Sequence, residues 1–220
     1  MPHSRPRLAE RRCSGQALHR TLSPESMDDV KESAANAVDL SGQGLVALSP
    51  PENTDHLDMS GNNFEVLPDS LAALAGLTGL EAYSNQLGKT FKTKAAAISV
   101  LAKLPKLKAV NLYNNKLGKL TTELAGLADM EEFNISGNKL MQIQDGAFQS
   151  WTACKVLNLY SNNLVMIGAT CLAPLVALEE LRLYENQLSE APVLGESHPA
   201  LTIFECVRAR AARPTCAFPC

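Results

Sequence analysis

The sequence lacks most of the features that mark catalytic and membrane proteins. Aromatic residues make up only 5% of its 220 residues, with one Trp, and the formal net charge is −3. No apolar run approaches the length of a membrane span, and the Arg-rich start lacks the hydrophobic core of a secretion signal. Bulk charge gives no indication of nucleic-acid binding. The distribution of apolar residues is therefore the main source of information.

Residues that could carry catalysis or hold a metal are few and scattered. The four His residues have no Cys or Ser partner at a meaningful position, and no phosphate-binding Gly loop or kinase motif occurs. Cys216 and Cys220 have no companion pair nearby, which argues against a zinc site. We therefore expect no enzymatic activity, no metal and no cofactor.

Six segments share one pattern of apolar residues and Asn. Each has two apolar residues two positions apart, an Asn three positions later, and another apolar residue two further on. The spacings between the Asn residues are 23, 30, 23, 24 and 24, which is the period range of a solenoid built from short coils. The six are Asn62, Asn85, Asn115, Asn138, Asn162 and Asn186.

The pattern also predicts the local structure of each coil. Alternating apolar residues before the Asn predict a short strand, and the Asn predicts the turn that leaves it. Its amide can both donate to and accept from the backbone of adjacent coils, where little water reaches. The long spacing between Asn85 and Asn115 predicts an inserted helix at residues 94–103, projecting from the convex or the lateral side of the coil.

The six segments resemble the repeats of the leucine-rich repeat family, from about Val38 to Ala211. The resemblance implies an α/β solenoid, a leucine-rich repeat horseshoe with a parallel sheet on the concave face and short helices and irregular turns on the convex face. Leu67-Pro68-x-x-Leu71 is similar to the repeats of cytoplasmic signalling scaffolds, of the 23/24-residue type. Asp145-Gly146-Ala147-Phe148 is similar to repeats common in receptor ectodomains. The repeat subtype alone does not choose a compartment.

We divide the chain into three parts. Residues 1–25 are expected to be a basic, disordered tail, with an organelle presequence as an open alternative. Residues 26–211 are expected to be the repeat domain, with a helical cap at 26–37 and a degenerate copy of the repeat at each end. Residues 212–220 form a C-terminal tail without an obvious cap, which favours a fragment or a truncated gene product.

The cysteines favour a cytoplasmic location. Cys154 and Cys206 occupy apolar repeat positions, where a buried thiol behaves as a small hydrophobic group. The paired-cysteine caps typical of secreted leucine-rich repeat proteins are missing, so we expect reduced thiols. The sequon Asn134-Ile135-Ser136 is then accidental.

Counting back from each Asn places rows of side chains on the solvent side of the sheet. The row two positions before the Asn holds every tyrosine of the chain: Tyr83, Tyr113, Tyr160 and Tyr184. The row four positions before it includes Glu81, Asn111, Asn134, Asn158 and Arg182. Tyr supplies a large contact area with few rotors to freeze, so we predict that both rows bind a protein partner. The alternative is a tyrosine ladder that only stabilises the sheet.

Three functional hypotheses follow. The first is a monomeric, non-catalytic interaction scaffold or regulatory subunit in the cytoplasm. The family resemblance implies a phosphatase catalytic subunit or a small GTPase as possible partners of such a scaffold. The second is an ectodomain fragment of a leucine-rich repeat receptor or adhesion protein. The third is part of an enzyme whose catalytic domain lies outside this chain.

Overall fold

The computed structural model describes residues 35–90, 97–120, 122–190, 192, 194 and 198–205. These residues form a parallel sheet of eight strands, a second sheet of two strands and three 3₁₀ helices. The strands are β1 (Ala37–Asp39), β2 (His56–Asp58), β3 (Gly79–Glu81), β4 (Ala109–Asn111), β5 (Glu132–Asn134), β6 (Gln142–Ile143), β7 (Val156–Asn158), β8 (Met166–Ile167), β9 (Glu180–Arg182) and β10 (Ile203–Glu205). The 3₁₀ helices span Asp69–Ala73, Ser99–Lys103 and Thr122–Gly126.

Each strand of the large sheet has one apolar residue at its centre, which is fully buried except in the two edge strands, β1 and β10. The strand order is β1-β2-β3-β4-β5-β7-β9-β10, and every neighbouring pair is parallel and in the same register. Leu57 therefore lies opposite Leu80, and Leu80 lies opposite Val110. These central side chains are fully buried in β2, β3, β4, β5, β7 and β9. The predicted solenoid with one parallel sheet is confirmed, and a horseshoe shape is consistent with it.

The turn Asn residues join each coil to the one before it. The Oδ1 atom of Asn138 accepts a hydrogen bond from the Leu117 N–H of the preceding coil at 3.0 Å. Its Nδ2 atom donates to the Leu112 carbonyl of that coil at 2.9 Å and to the Ile135 carbonyl of its own coil at 3.0 Å. The other five Asn residues repeat this arrangement. One amide per coil thus satisfies backbone groups that water does not reach.

The side of each coil opposite the sheet changes along the chain. The first 3₁₀ helix follows Pro68, and the three 3₁₀ helices pack against one another in order. Later coils replace them with turns and with the β6–β8 pair. Trp151 fills the core there, with its ring 5.0 Å from Phe133 and 4.8 Å from Phe148 between centroids. Its Nε1 donates to the Leu124 carbonyl at 2.8 Å.

The insertion before Asn115 differs from its prediction. Only residues 97–103 of the predicted helix are described, and Ser99–Lys103 is a 3₁₀ helix with Val100 and Leu101 buried. The Leu67 N–H donates to the Ala97 carbonyl at 2.8 Å, which ties the segment to the preceding coil. Because its apolar residues reach the core, this described part does not project from the coil.

Both ends of the predicted repeat domain extend beyond the described residues. The cap at residues 26–34, the segment 206–211 and the two tails lie outside them. Ala37, the last residue of the predicted cap, is the first residue of β1 rather than helical. β1 and β10 lie at the two edges of the sheet, where the sequence has its degenerate copies. The domain boundaries stay a prediction.

Candidate functional site

The candidate site is the solvent side of the eight-stranded sheet, which we call the sheet face. It consists of the residues six, four, two and one positions before each turn Asn, and before Gln43 in the first coil. The first three share one side of the strand because side chains alternate, and the residues between them fill the core. The residue one position before the Asn belongs to the turn. Successive coils repeat these four rows at the strand spacing of about 4.8 Å. Each row therefore forms a line of side chains across the sheet.

The structure places the four tyrosines on one row of the sheet face. None belongs to the buried core, and Tyr113 is 43% exposed while the other three are half-buried. The Tyr160 and Tyr184 rings stack, with 5.9 Å between their centroids and 2° between their planes. A Cβ added to Gly137 would lie 3.0 Å from the Tyr113 ring, so that ring leans over the coil that carries Ser136. Tyr113 thereby covers part of the gap in the row.

Tyr160 lies near the carboxylate of Glu185, the residue that follows Tyr184. Partial burial raises the pKa of Tyr160, and the hydrogen bond and negative charge of Glu185 raise it further. The phenol accordingly stays protonated in the physiological range. This contact links the tyrosine row to an exposed acid.

The row four positions before the Asn exposes little surface. Glu81, Asn134, Asn158 and Arg182 are at most 7% exposed, and only Asn111 is half-buried. The Oδ1 atoms of the three Asn residues each accept a hydrogen bond from the N–H two residues later, at 3.0–3.1 Å. The Glu81 carboxylate accepts from Asn111 at 2.9 Å, and Arg182 donates to Glu180 at 2.7 Å. These residues form a polar layer close to the sheet, and the tyrosine row is the more accessible one.

The row one position before the Asn was missed by sequence reasoning. From Gly42 to Glu185 this residue has φ between 50° and 65° in every coil, including the non-glycine residues Ser84, Asn114, Ser161 and Glu185. A left-handed backbone costs an L-residue about 1 kcal/mol. The glycines at this position in three coils were the signal that could have revealed it.

A line of paired charges borders the sheet face, seven positions before the Asn. The Glu131 carboxylate accepts from Lys155 Nζ at 2.9 Å and from Lys108 Nζ at 3.0 Å. The hydrogen bonds of Lys155 and then Lys108 lower the pKa of Glu131, and the same contact raises the pKa of Lys155. Cations are therefore held at the border by an acid of the neighbouring coil.

The described part of the chain offers little that could do chemistry. Within it, no group of three His, Cys, Asp or Glu residues could hold a metal ion. Cys154 and Cys171 are buried free thiols, and burial raises the pKa of each to about 12. Among the helices in the described ranges, none has the length and hydropathy that crossing a bilayer requires.

Comparison with known proteins identifies the repeats. Family models described as leucine rich repeat match residues 53–74 and 130–188. Those two parts of the chain are therefore similar to leucine-rich repeats. Tsukushi of Xenopus tropicalis is 29% identical to it over 164 residues, which cover 71% of this chain and 45% of Tsukushi. The chain thus spans less than half the length of this relative.

Solved structures of leucine-rich repeat proteins are similar to this one in fold. The leucine-rich repeat ectodomain of the plant membrane receptor kinase GASSHO1/SCHENGEN3 from Arabidopsis thaliana, in complex with CASPARIAN STRIP INTEGRITY FACTOR 2, is 25% identical, with a TM-score of 0.59. That match covers 72% of this chain and 19% of the other. The complex of Latrophilin 3, Unc5D and FLRT2 contains a chain with a TM-score of 0.61 and 24% identity, over 77% of this chain and 49% of that one.

The prediction of a cytoplasmic location is wrong. The relatives are Tsukushi, a secreted protein, and receptor ectodomains, and the cytoplasmic repeat subtype finds no support among them. The prediction relied on cysteine usage, but Cys154 and Cys171 are buried within the repeats and act as small apolar side chains. Buried thiols of this kind do not report on the redox compartment, and the matched relatives extend well beyond the region shared with this chain.

Proposed function

We propose that this chain is a non-catalytic, extracellular protein-binding unit that takes a partner protein on its sheet face. The observation that carries the proposal is the row of accessible tyrosines, of which Tyr113, Tyr160 and Tyr184 lie on the second half of the sheet. Tyr combines a large apolar ring with a polar tip and dominates many interface hot spots. Stacking of Tyr160 on Tyr184 stabilises the sheet and also pre-orders these rings for a partner.

The comparisons favour the receptor or secreted-protein hypothesis over the cytoplasmic scaffold. Tsukushi is secreted, and the GASSHO1/SCHENGEN3 ectodomain was solved in complex with CASPARIAN STRIP INTEGRITY FACTOR 2. A phosphatase catalytic subunit and a small GTPase came only from the resemblance to cytoplasmic scaffolds, and they lose their support with that location. We infer a role like that of a receptor ectodomain or of a secreted repeat protein.

The proposed anchors are Tyr113, Tyr160 and Tyr184, with Tyr83 extending the surface towards the N-terminal coils. The row four positions before the Asn contributes mainly by fixing the shape of the surface beside the tyrosines, since most of its own surface is covered. This row includes Glu81, Asn111, Asn134, Asn158 and Arg182. Asn111 is the half-buried member of this row and the best placed to touch a partner directly.

The test compares two double alanine variants. Tyr113→Ala/Tyr160→Ala removes two anchors, whereas Met141→Ala/Met166→Ala removes two exposed side chains, 60% and 52% exposed, that lie off the sheet face. Proteins captured by the wild type from conditioned medium and from cell surfaces are purified and titrated against each variant. We expect the tyrosine variant to bind at least tenfold more weakly and the methionine variant to stay within twofold.

Folding of both variants is checked by circular dichroism and by the fluorescence of Trp151. A captured partner whose affinity falls with the methionine variant and not with the tyrosine variant would contradict the sheet face as the docking surface. The location is tested separately with an antibody against the chain on intact, unpermeabilised cells and on their medium. Signal only after permeabilisation would refute an extracellular role.

A further inference from the structure

The sheet face carries an excess of negative charge. Across β1 to β9, its four rows contain six carboxylates, one guanidinium and no lysine. The acids are Asp39, Asp58, Glu81, Glu132, Glu180 and Glu185, and the base is Arg182. Formal charge over the whole chain is only −3, so this excess is a property of one surface.

The lysines of the same coils lie just outside the sheet face. Lys108 and Lys155 occupy the border row on one side, and Lys116 and Lys139 directly follow the turn Asn on the other. Lys108 and Lys155 are held there by Glu131. The lysines therefore lie around an acidic surface. Within that surface the only Lys or Arg side chain is Arg182, and its guanidinium pairs with Glu180. Such a field attracts a positively charged partner and repels an acidic one.

The tyrosines add a second preference to the charge. A guanidinium group can stack on a tyrosine ring and at the same time pair with a carboxylate through parallel N–H groups. The stacked Tyr160–Tyr184 pair has the exposed Glu185 beside it, since Glu185 directly follows Tyr184. Lysine has a compact, strongly hydrated charge and matches such a ring-and-carboxylate site less well.

We propose that the partner segment that docks on the sheet face is basic, and that it places an arginine side chain over the Tyr160–Tyr184 pair, next to Glu185. The inference rests on the proposed function, because it names the chemistry of the partner for the same surface. Glu132, half-buried at the start of β5, adds its negative charge to the field that the basic segment meets.

The experiment uses three fluorescein-labelled peptides of eleven residues, in which Gly alternates with Arg, with Lys or with Glu. Each is titrated by fluorescence anisotropy at low and at moderate salt. The sheet-face variant Glu132→Gln/Glu185→Gln is compared with Glu52→Gln/Glu190→Gln, which removes the same charge from two exposed positions away from the sheet face. Tyr160→Leu tests the ring contribution.

We expect the Arg peptide to bind at least threefold more tightly than the Lys peptide, and the Glu peptide not to bind. The sheet-face variant should bind the Arg peptide at least fivefold more weakly than the wild type, and its affinity should not depend more steeply on salt. The control variant should stay within twofold of the wild-type affinity. Tyr160→Leu should lower the affinity for the Arg peptide by a larger factor than the affinity for the Lys peptide. Equal losses in the two double variants, equal affinity for Arg and Lys, or binding of the Glu peptide would each overturn the proposal.

Failure of this inference can be told apart from failure of the proposed function. If the captured partner loses affinity for Tyr113→Ala/Tyr160→Ala but not for Glu132→Gln/Glu185→Gln, the sheet face is a docking surface and the basic partner is wrong. If the partner is insensitive to both variants, the docking surface itself is wrong.

Discussion

Replacement of Asn138 by Ala should destabilise the fold by about 2–4 kcal/mol. The Leu117 N–H has the Asn138 Oδ1 as its hydrogen-bond acceptor, and its loss inside the coil costs about 1–3 kcal/mol. The Leu112 and Ile135 carbonyls each also accept a hydrogen bond from a second turn Asn. Each therefore loses one of two hydrogen bonds and adds less to the free-energy cost. The side chain is only 5% exposed, so water cannot replace these contacts without opening the coil.

Asn186 provides a matched control for this replacement. It makes the same bonds, with its Oδ1 accepting from Leu164 at 3.0 Å, but it is only partly buried. Water can reach the groups that Asn186→Ala leaves behind, so we expect about 1–2 kcal/mol. Urea unfolding followed by circular dichroism and Trp151 fluorescence measures both. A cost for Asn138→Ala below 0.5 kcal/mol, or no larger than that of Asn186→Ala, would refute the structural role given to this amide.

The replacement Asn138→Asp separates the acceptor from the donor. The introduced carboxyl can still accept from the Leu117 N–H, but it faces three carbonyl oxygens, at Leu112, Ile135 and Ser136. Burial and these oxygens disfavour the anion, so its pKa is raised in the folded state. Its contribution is then favourable below the unfolded pKa and is lost as pH rises through the folded pKa. Stability relative to wild type should therefore fall from pH 4 to pH 7, and a pH-independent difference would contradict the argument.

Three further predictions concern the core, the border charges and the thiols. Trp151→Ala should cost about 3–5 kcal/mol in urea unfolding, because it empties a site packed by Phe133 and Phe148 and frees the Leu124 carbonyl. Because the pKa of Glu131 is lowered, its stabilising contribution is present above its unfolded pKa and lost as pH falls through the folded value, so Glu131→Gln should lower stability at neutral pH but not in acid. Iodoacetamide at pH 8 should leave Cys154 and Cys171 unmodified in the native protein and label them in urea, as read by peptide mass spectrometry, since the pKa of each is raised to about 12.

Much of the fold could be predicted from the spacing of a few residue types. The Asn recurrence predicts the coil, and the apolar pair before each Asn predicts which side chains of the strand are buried, as at Leu57 and Met59. The structure of the insertion before Asn115 was harder to predict. Its helix propensity is high, but its described apolar residues pack in a 3₁₀ helix against the previous coil. Packing between coils decided that element against its local preference.

The sequence by itself determined on which side of the sheet each strand side chain lies. Only the tertiary structure decided how much of that side chain is exposed to solvent. Periodicity of two along a strand assigns Tyr113 and Asn158 to the same side of the sheet, because the backbone alone sets where each Cβ points. How much of each side chain meets solvent depends on its neighbours in the adjacent coils, about 4.8 Å away. Asn158 is covered there and Tyr113 is not, since the latter leans over Gly137. The left-handed residue before each Asn, and the contact of Glu185 with Tyr160, arise from the same packing of coil on coil.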